Sequence, residues 1–299
     1  MKQYIELLKE IYEHGEPKGP ARKGMPGTKE VFCRTMTFDL QEGFPLLTCR
    51  KMFTRGMAHE LIWLLSGDTN IKYLVDNNVH IWDNDAYKFY KRRGGKLNKE
   101  TWLDFVKSNM YDSITKSKFG DLGFVYGHQW RSFKGFYDQI RALIKGLKEN
   151  PNSRYHIVTA WDPVPYLVHS DGAALPACHI LFQCSIRGEY LDIMMLQRSC
   201  DMVLGVPFDI AEYAMLCHIL ALEIGKKPGV FTWVGNSCHI YDTHMDAAKE
   251  LISRENDLLP LCNLKIAEHK PFDKYEAEDF IFENYKSLPA VKAKLCVGE

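Results

Sequence analysis

Apolar residues recur at helical spacing in one set of stretches along this chain and alternate with polar residues in another. The two periods together predict an interleaved series of helices and strands. Helical spacing runs from about Lys2 to His14, Gly56 to Leu65, Gly135 to Lys148, Pro207 to Ile224 and Thr243 to Arg254. The fourth of these, PFDIAEYAMLCHILALEI, is apolar almost throughout, which predicts a buried central helix rather than a surface one. Strand-like runs cover His156 to Trp161, His179 to Ile186, Tyr190 to Gln197, Gly229 to Val234 and Cys262 to Ala267. Ile180, Phe182, Cys184 and Ile186 alternate, and Arg187-Gly188-Glu189 then separates that run from the next, which predicts a hairpin. Helices and strands mix without a βαβ cadence. The expected fold is therefore α+β, with a mostly antiparallel or mixed sheet packed with helices. One domain is expected across 1–299, with an insertion at 84–120 that is polar, weakly periodic, and reads as a surface subdomain or mobile flap.

Composition narrows the function classes. The chain has 299 residues, enough for a sizeable core, and its 38 basic and 38 acidic side chains cancel. No global field favours nucleic acid or an anionic membrane, so any anion site must be local. The N-terminus, MKQYIELLKEIYEHGEP, is a charged amphipathic pattern and not a signal peptide. No stretch reads as a membrane span. The nine cysteines are scattered without a C-x-x-C pair, which argues against a disulfide framework or structural zinc. A cytoplasmic location is expected, or a host cytoplasm if the chain is phage-encoded.

Three clusters carry candidate chemistry. In Leu175-Pro176-Ala177-Cys178-His179 a cysteine stands at a strand entry. It is a nucleophile only if a neighbouring cation, here Arg198, favours its thiolate; otherwise it is one more buried cysteine. In Gln197-Arg198-Ser199-Cys200-Asp201 through Gly205-Val206-Pro207-Phe208-Asp209, a strand end runs into a helix start, where rigid backbone presents polar groups to anions. Taken alone, Asp209 also reads as a carboxylate placed by the helix dipole. In Gly235 to His244, His239 and Tyr241 are two apart on a strand and point the same way, as a grip on a sugar hydroxyl would. Their His and Asp content permits a metal reading, but His239 and His244 lack the i, i+4 spacing of a helical zinc site, and no metal is expected.

These blocks resemble the thymidylate synthase superfamily. The likeness covers nearly the whole chain: FDLQEGFPLLT, HELIWLLSGDTN, IWD, GDLGFVYGHQWR, SRYHIVTAW and the three clusters above occur in the family's order. The resemblance implies a sheet-to-sheet homodimer, a pyrimidine nucleoside monophosphate substrate and 5,10-methylenetetrahydrofolate as one-carbon donor. It implies that Cys178 adds to C6 of the pyrimidine. Glu60, Tyr126, Asp201 and Asp209 join it as catalytic residues. Arg198 and Ser199 bind phosphate, with Arg22 or Lys23 from the N-terminal loop and Arg154 reaching into the neighbouring subunit. His179 and Gln197 complete the substrate set, His239 and Tyr241 hold the 3′-hydroxyl, and Trp82, Asp201, Gly205 and Arg50 contact the folate.

Departures from the family's pattern bear on the reaction. Ala177 separates Pro176 from the cysteine, Tyr155 takes the second place of the usual Arg-Arg pair, and the tail AVKAKLCVGE is long and polar. Asp209 stands where thymidylate synthases carry Asn in PFNIA. A carboxyl there can accept from the cytosine amino group and share a proton with N3. Against uracil it would face O4 with no proton between them, a costly mismatch. On this ground the sequence predicts a deoxycytidylate 5-hydroxymethylase, in which water captures the C5-methylene intermediate. The alternatives are a CMP 5-hydroxymethylase, a dCMP C5 methyltransferase, or a thymidylate synthase acting on dUMP.

Overall fold

The computed structural model describes residues 1–294 apart from 22 and 169–171. The chain forms two compact units. The first comprises Met1–Ala58, Ile144–Ile157 and the chain from Cys178 onward; the second comprises His59–Leu143 and Val158–Ala177.

The first unit is built on a mixed sheet. Its strands run in the order Glu16–Lys18, Thr28–Asp39, Lys227–Tyr241, Tyr190–Asp201, His179–Arg187 and Ile157–Thr159, the last of which begins in this unit. His179–Arg187 and Tyr190–Asp201 form the expected hairpin, with Arg187 opposite Tyr190. Tyr190–Asp201 pairs on its other side with Lys227–Tyr241 in parallel, and Thr28–Asp39 joins that strand antiparallel. The α+β expectation with a mixed sheet is met.

The apolar helix, Gly205–Glu223, covers one face of the sheet. Tyr213 is its anchor: its ring stacks on Phe231 at 5.9–6.3 Å spacing in the series Phe38, Phe231, Tyr213, and meets Phe182 edge-on at 5.7 Å. Cys217 Sγ donates to the Leu191 carbonyl at 3.3 Å, which ties the helix to the sheet. This helix is long and apolar enough to match a membrane span, contrary to the expectation that no stretch would, but 72% of that window is buried inside the fold. It is a core helix. The first helix, Lys2–His14, buries Tyr4, Ile5, Leu7, Leu8 and Ile11, the stripe its spacing predicted.

Two features depart from the sequence reading. Thr28–Asp39 forms a twelve-residue strand where no period was evident. Cys33 has a φ of 57° and no ladder partner, yet the register is the same on both sides of it, Phe32↔Ser237 and Arg34↔Gly235, so the strand is locally distorted without an inserted residue. In the second unit, the segment 84–120 contains the helix Lys99–Lys107 and most of Asp83–Arg92 rather than aperiodic chain. Asn98 caps the later helix, its side chain accepting from Thr101 N at 2.9 Å. Their narrow apolar stripes bury Phe89, Tyr90 and Trp102, and Tyr90 and Trp102 join an aromatic cluster in which Tyr87 lies 5.3 Å from Trp102 and Phe105 5.1 Å from Phe119.

Phe231 is fully buried between two stacked rings. Phe231→Ala should cost about 3–5 kcal/mol in denaturant unfolding. A loss below about 1 kcal/mol would mean that the sheet–helix core is not packed around this ring.

Candidate active site

Cys178 is half-buried at the entry to its strand, and the ladder shifts register just after it, between His179 and Leu181. The hairpin partner strand brings Arg198 back beside it. Arg198 N donates to the Cys178 carbonyl at 2.9 Å, and Arg198 Nη2 lies 4.0 Å from Cys178 Sγ. A guanidinium so placed favours the thiolate. The core cysteines sit in the opposite situation. Burial pushes the Cys217 thiol up to about 12 and Cys262 to about 11, and it raises Cys184 and Cys200 as well.

The parallel ladder supplies the next layer. Its register sets Ser199 opposite Ser237 and Asp201 opposite His239. Alternation of burial breaks at Arg198–Ser199 and again at Asn236–Ser237, so both strands shift phase at the same level. Asp201 Oδ1 accepts from the backbone N–H of Val203 at 3.0 Å and Leu204 at 3.2 Å, which shapes the turn into the apolar helix. Gly205 opens that helix; a Cβ there would lie 3.7 Å from Asp209 Oδ2 and 3.8 Å from Asp201 Cβ. Pro207 falls in the first turn, where its missing N–H is tolerated.

Asp209 is held from two sides. Its Oδ1 is 2.9 Å from His179 Nε2, and its Oδ2 accepts from Gln197 Nε2 at 2.7 Å. Gln197 in turn accepts from the indole N–H of Trp233 at 2.8 Å. His239 Nδ1 donates to the Ser237 carbonyl at 3.0 Å, and its ring meets Tyr241 edge-on at 4.8 Å. His239 and Tyr241 are thus brought together as expected. His244 instead stacks edge-on to Tyr241 and donates from Nε2 to the Lys294 carbonyl at 2.6 Å. Among the described residues no group of three His, Cys, Asp or Glu side chains is arranged to hold a metal ion.

Arg50 is buried, with its guanidinium 6.0 Å from the Phe208 ring, and its Nε and Nη2 have no hydrogen-bond partner among the described residues. Arg154 is exposed on the segment before Ile157, and its carbonyl accepts from Gln183 Nε2 at 3.1 Å. Lys23 is exposed on the N-terminal loop, and Arg22 lies outside the described residues, as do 295–299 of the polar tail. In the second unit, Trp82 Nε1 donates to Glu60 Oε1 at 2.7 Å, and the Trp82 ring lies 6.3 Å from Tyr126. These three expected residues form one cluster of their own. Trp233, Tyr4 (whose hydroxyl donates to the Met202 carbonyl at 2.6 Å) and Phe208 also belong to the site's surroundings. Nothing in the sequence pattern assigned them a role.

The chain matches the family described as thymidylate synthase over residues 2–297. A thymidylate synthase of Mesoplasma florum is 41% identical over 298 residues, covering 99% of this chain and all of the relative. A thymidylate synthase of Francisella philomiragia is 41% identical over 307 residues with the same coverage. The chain belongs to the thymidylate synthase family. The expected deoxycytidylate hydroxymethylase is thereby corrected: full-length relatives at this identity carry the name thymidylate synthase, and none of these names points to a hydroxymethylase. The geometry supplies a physical reason: pairing with cytosine N3 needs an O–H of Asp209 aimed at the ring, whereas both of its carboxyl oxygens already face protein nitrogens, Gln197 Nε2 and His179 Nε2.

Burial works against charge on His244, but the Asp201 carboxylate 3.6 Å from Nδ1 and the Lys294 carbonyl together raise its pKa in spite of Arg50 nearby. A raised folded value means that the pairing stabilises most below about pH 6.5 and that the contribution is lost as pH rises through the folded value. The stability gap between wild type and His244→Asn should therefore narrow from pH 6 to pH 8 in thermal melts; a gap that widens would contradict the pairing.

Proposed function

We propose that this thymidylate synthase family member methylates dUMP at C5, with 5,10-methylenetetrahydrofolate as the one-carbon donor. The observation that carries the reading is Arg198 at the sulfur of Cys178, in a chain whose full-length relatives are named for thymidylate. In this reading Cys178 thiolate adds to C6, which makes C5 nucleophilic, and the thiolate is expelled once C5 has lost its proton and gained its new carbon. The folate, when bound, supplies the carbon and the hydride that completes the methyl group, and leaves as dihydrofolate.

The remaining roles follow from side-chain chemistry. Arg198, Ser199 and a basic residue of the N-terminal loop, Lys23 or Arg22, bind the phosphate. His239 carries its proton on Nδ1, so Nε2 is an acceptor for the 3′-hydroxyl, with Tyr241 beside it. Asp209 accepts from uracil N3–H. Glu60 and Tyr126 organise proton transfer at the ring, with Trp82 hydrogen-bonded to Glu60 and edge-on to Tyr126. For the folate, Asp201, Gly205 and Arg50 are the candidates. The orphaned guanidinium nitrogens of Arg50 and the adjacent Phe208 ring fit a flat, anionic ligand of this kind. A homodimer through the sheet is supported by the exposed Phe32, 68% accessible, and by Arg154, whose exposed side chain is available to a second copy. The helices within 84–120 are read as an insertion in the family's catalytic domain.

Mixing the protein with dUMP and methylenetetrahydrofolate should yield thymidylate and dihydrofolate in equal amounts. Release of tritium from C5 of dUMP should fall by about 10³-fold or more in Cys178→Ala. Undiminished release in that variant, or product without dihydrofolate, would refute the scheme.

A further inference from the structure

We propose that Trp233 is a positioning residue for base recognition: its indole N–H sets the polarity of the Gln197 amide and, through it, holds Asp209 as a pure acceptor. The proposal rests on the reading that Asp209 faces the pyrimidine.

An indole nitrogen can only donate, whereas the two ends of a glutamine amide are close in shape and opposite in hydrogen bonding. Trp233 is fully buried, and its Nε1 lies 2.8 Å from Gln197 Oε1. The oxygen of Gln197 must therefore face the indole. Its amino group then faces two acceptors, Asp209 Oδ2 at 2.7 Å and the Ser199 carbonyl at 3.1 Å. The flipped amide would set oxygen against both and N–H against N–H, losing all three bonds in a buried setting. Only one orientation is satisfied.

That orientation passes a donor to Asp209. From the other side His179 Nε2, at 2.9 Å, supplies a second. Both carboxylate oxygens then accept from the protein, and the lone pairs left over can only accept again. The edge offered to a ligand carries no donor, so it can accept from a ring N–H such as N3 of uracil and has nothing to donate to O4.

The sheet makes room for this relay. Gln197 is the ladder partner of Gly235. A Cβ on Gly235 would lie 2.0 Å from Trp233 Cη2 and 2.8 Å from Cys238 Sγ. The bare strand at this one position lets the indole lie where its N–H meets the Gln197 side chain. The effect of Trp233 on the reaction passes through that side chain.

Gln197→Glu tests the relay, because the new carboxylate still accepts from Trp233 but turns an oxygen toward Asp209. The KM for dUMP should rise about tenfold or more with a smaller change in kcat. Adding Asp209→Asn should recover part of that loss, since the carboxamide can donate to the carboxylate introduced at position 197. Trp233→Phe should raise KM in the same direction. In parallel, thermal melts of the ligand-free protein as a cycle of Gln197→Glu, Asp209→Asn and the double variant should show coupling between the two sites. Additive melting shifts, or a KM loss that Asp209→Asn does not relieve, would overturn the relay. Wild-type protein that neither binds nor turns over dUMP would instead overturn the proposed reaction, while coupled melts would still establish the relay's geometry.

Discussion

The parallel ladder between Tyr190–Asp201 and Lys227–Tyr241 organises everything else in the candidate site. Each strand breaks its alternation at the same level, Arg198–Ser199 on one and Asn236–Ser237 on the other. Because the breaks coincide, the strands stay paired through them, with Ser199 opposite Ser237 and Asp201 opposite His239. A break in one strand alone would have left a mismatched ladder and unpaired backbone groups. The shared break instead lets Gln197 face the core while the following residues, Arg198 and Ser199, stay half-buried beside the cysteine strand. Cys178 needs its arginine, and the hairpin register delivers it through the Arg198 N to Cys178 carbonyl bond.

Charge in this protein is a local matter. Its basic and acidic residues balance over the chain. The site nonetheless gathers buried or half-buried ionisable groups whose partners differ in kind: a cation at the Cys178 sulfur, two donors on Asp209, a carboxylate and a carbonyl on His244. For His244 these partners raise the pKa against the effect of burial. The buried guanidinium of Arg50 is the exception, since its orphaned nitrogens have no such partner within the described chain. An anionic ligand would complete it.

Much of the fold was legible in the residues themselves. The central helix, the hairpin and the amphipathic first helix follow from their periods, because each element buries one consistent face. Thr28–Asp39 was not legible, because its first eight residues do not alternate in burial and only Met36 and Phe38 are buried. The helices within 84–120 were hidden by their narrow stripes, in which the buried apolar positions, three in Asp83–Arg92 and two in Lys99–Lys107, are outnumbered by lysines and other polar residues. For the site, the cysteine, arginine and histidine positions were readable as a set through their family resemblance, though each alone was ambiguous. Asp209 misled, because its identity suggests a partner with which it can share a proton, whereas its role depends on the donors around it. Gln197 and His179 are distant from Asp209 in meaning, if not in sequence, until the register is known. Trp233 meets Gln197 only through the ladder and the bare Gly235, which no local pattern announces.

The central claim is that Cys178 forms a covalent bond to the pyrimidine during C5 methylation. A dUMP carrying fluorine at C5 cannot release that substituent as a proton, so the reaction should stall with the nucleotide still attached to the enzyme. Intact-protein mass spectrometry after incubation with this analogue and methylenetetrahydrofolate should therefore find a stable ternary adduct, mapped by peptide fragmentation to Cys178. Unmodified protein, or an adduct on any other cysteine, would contradict the account.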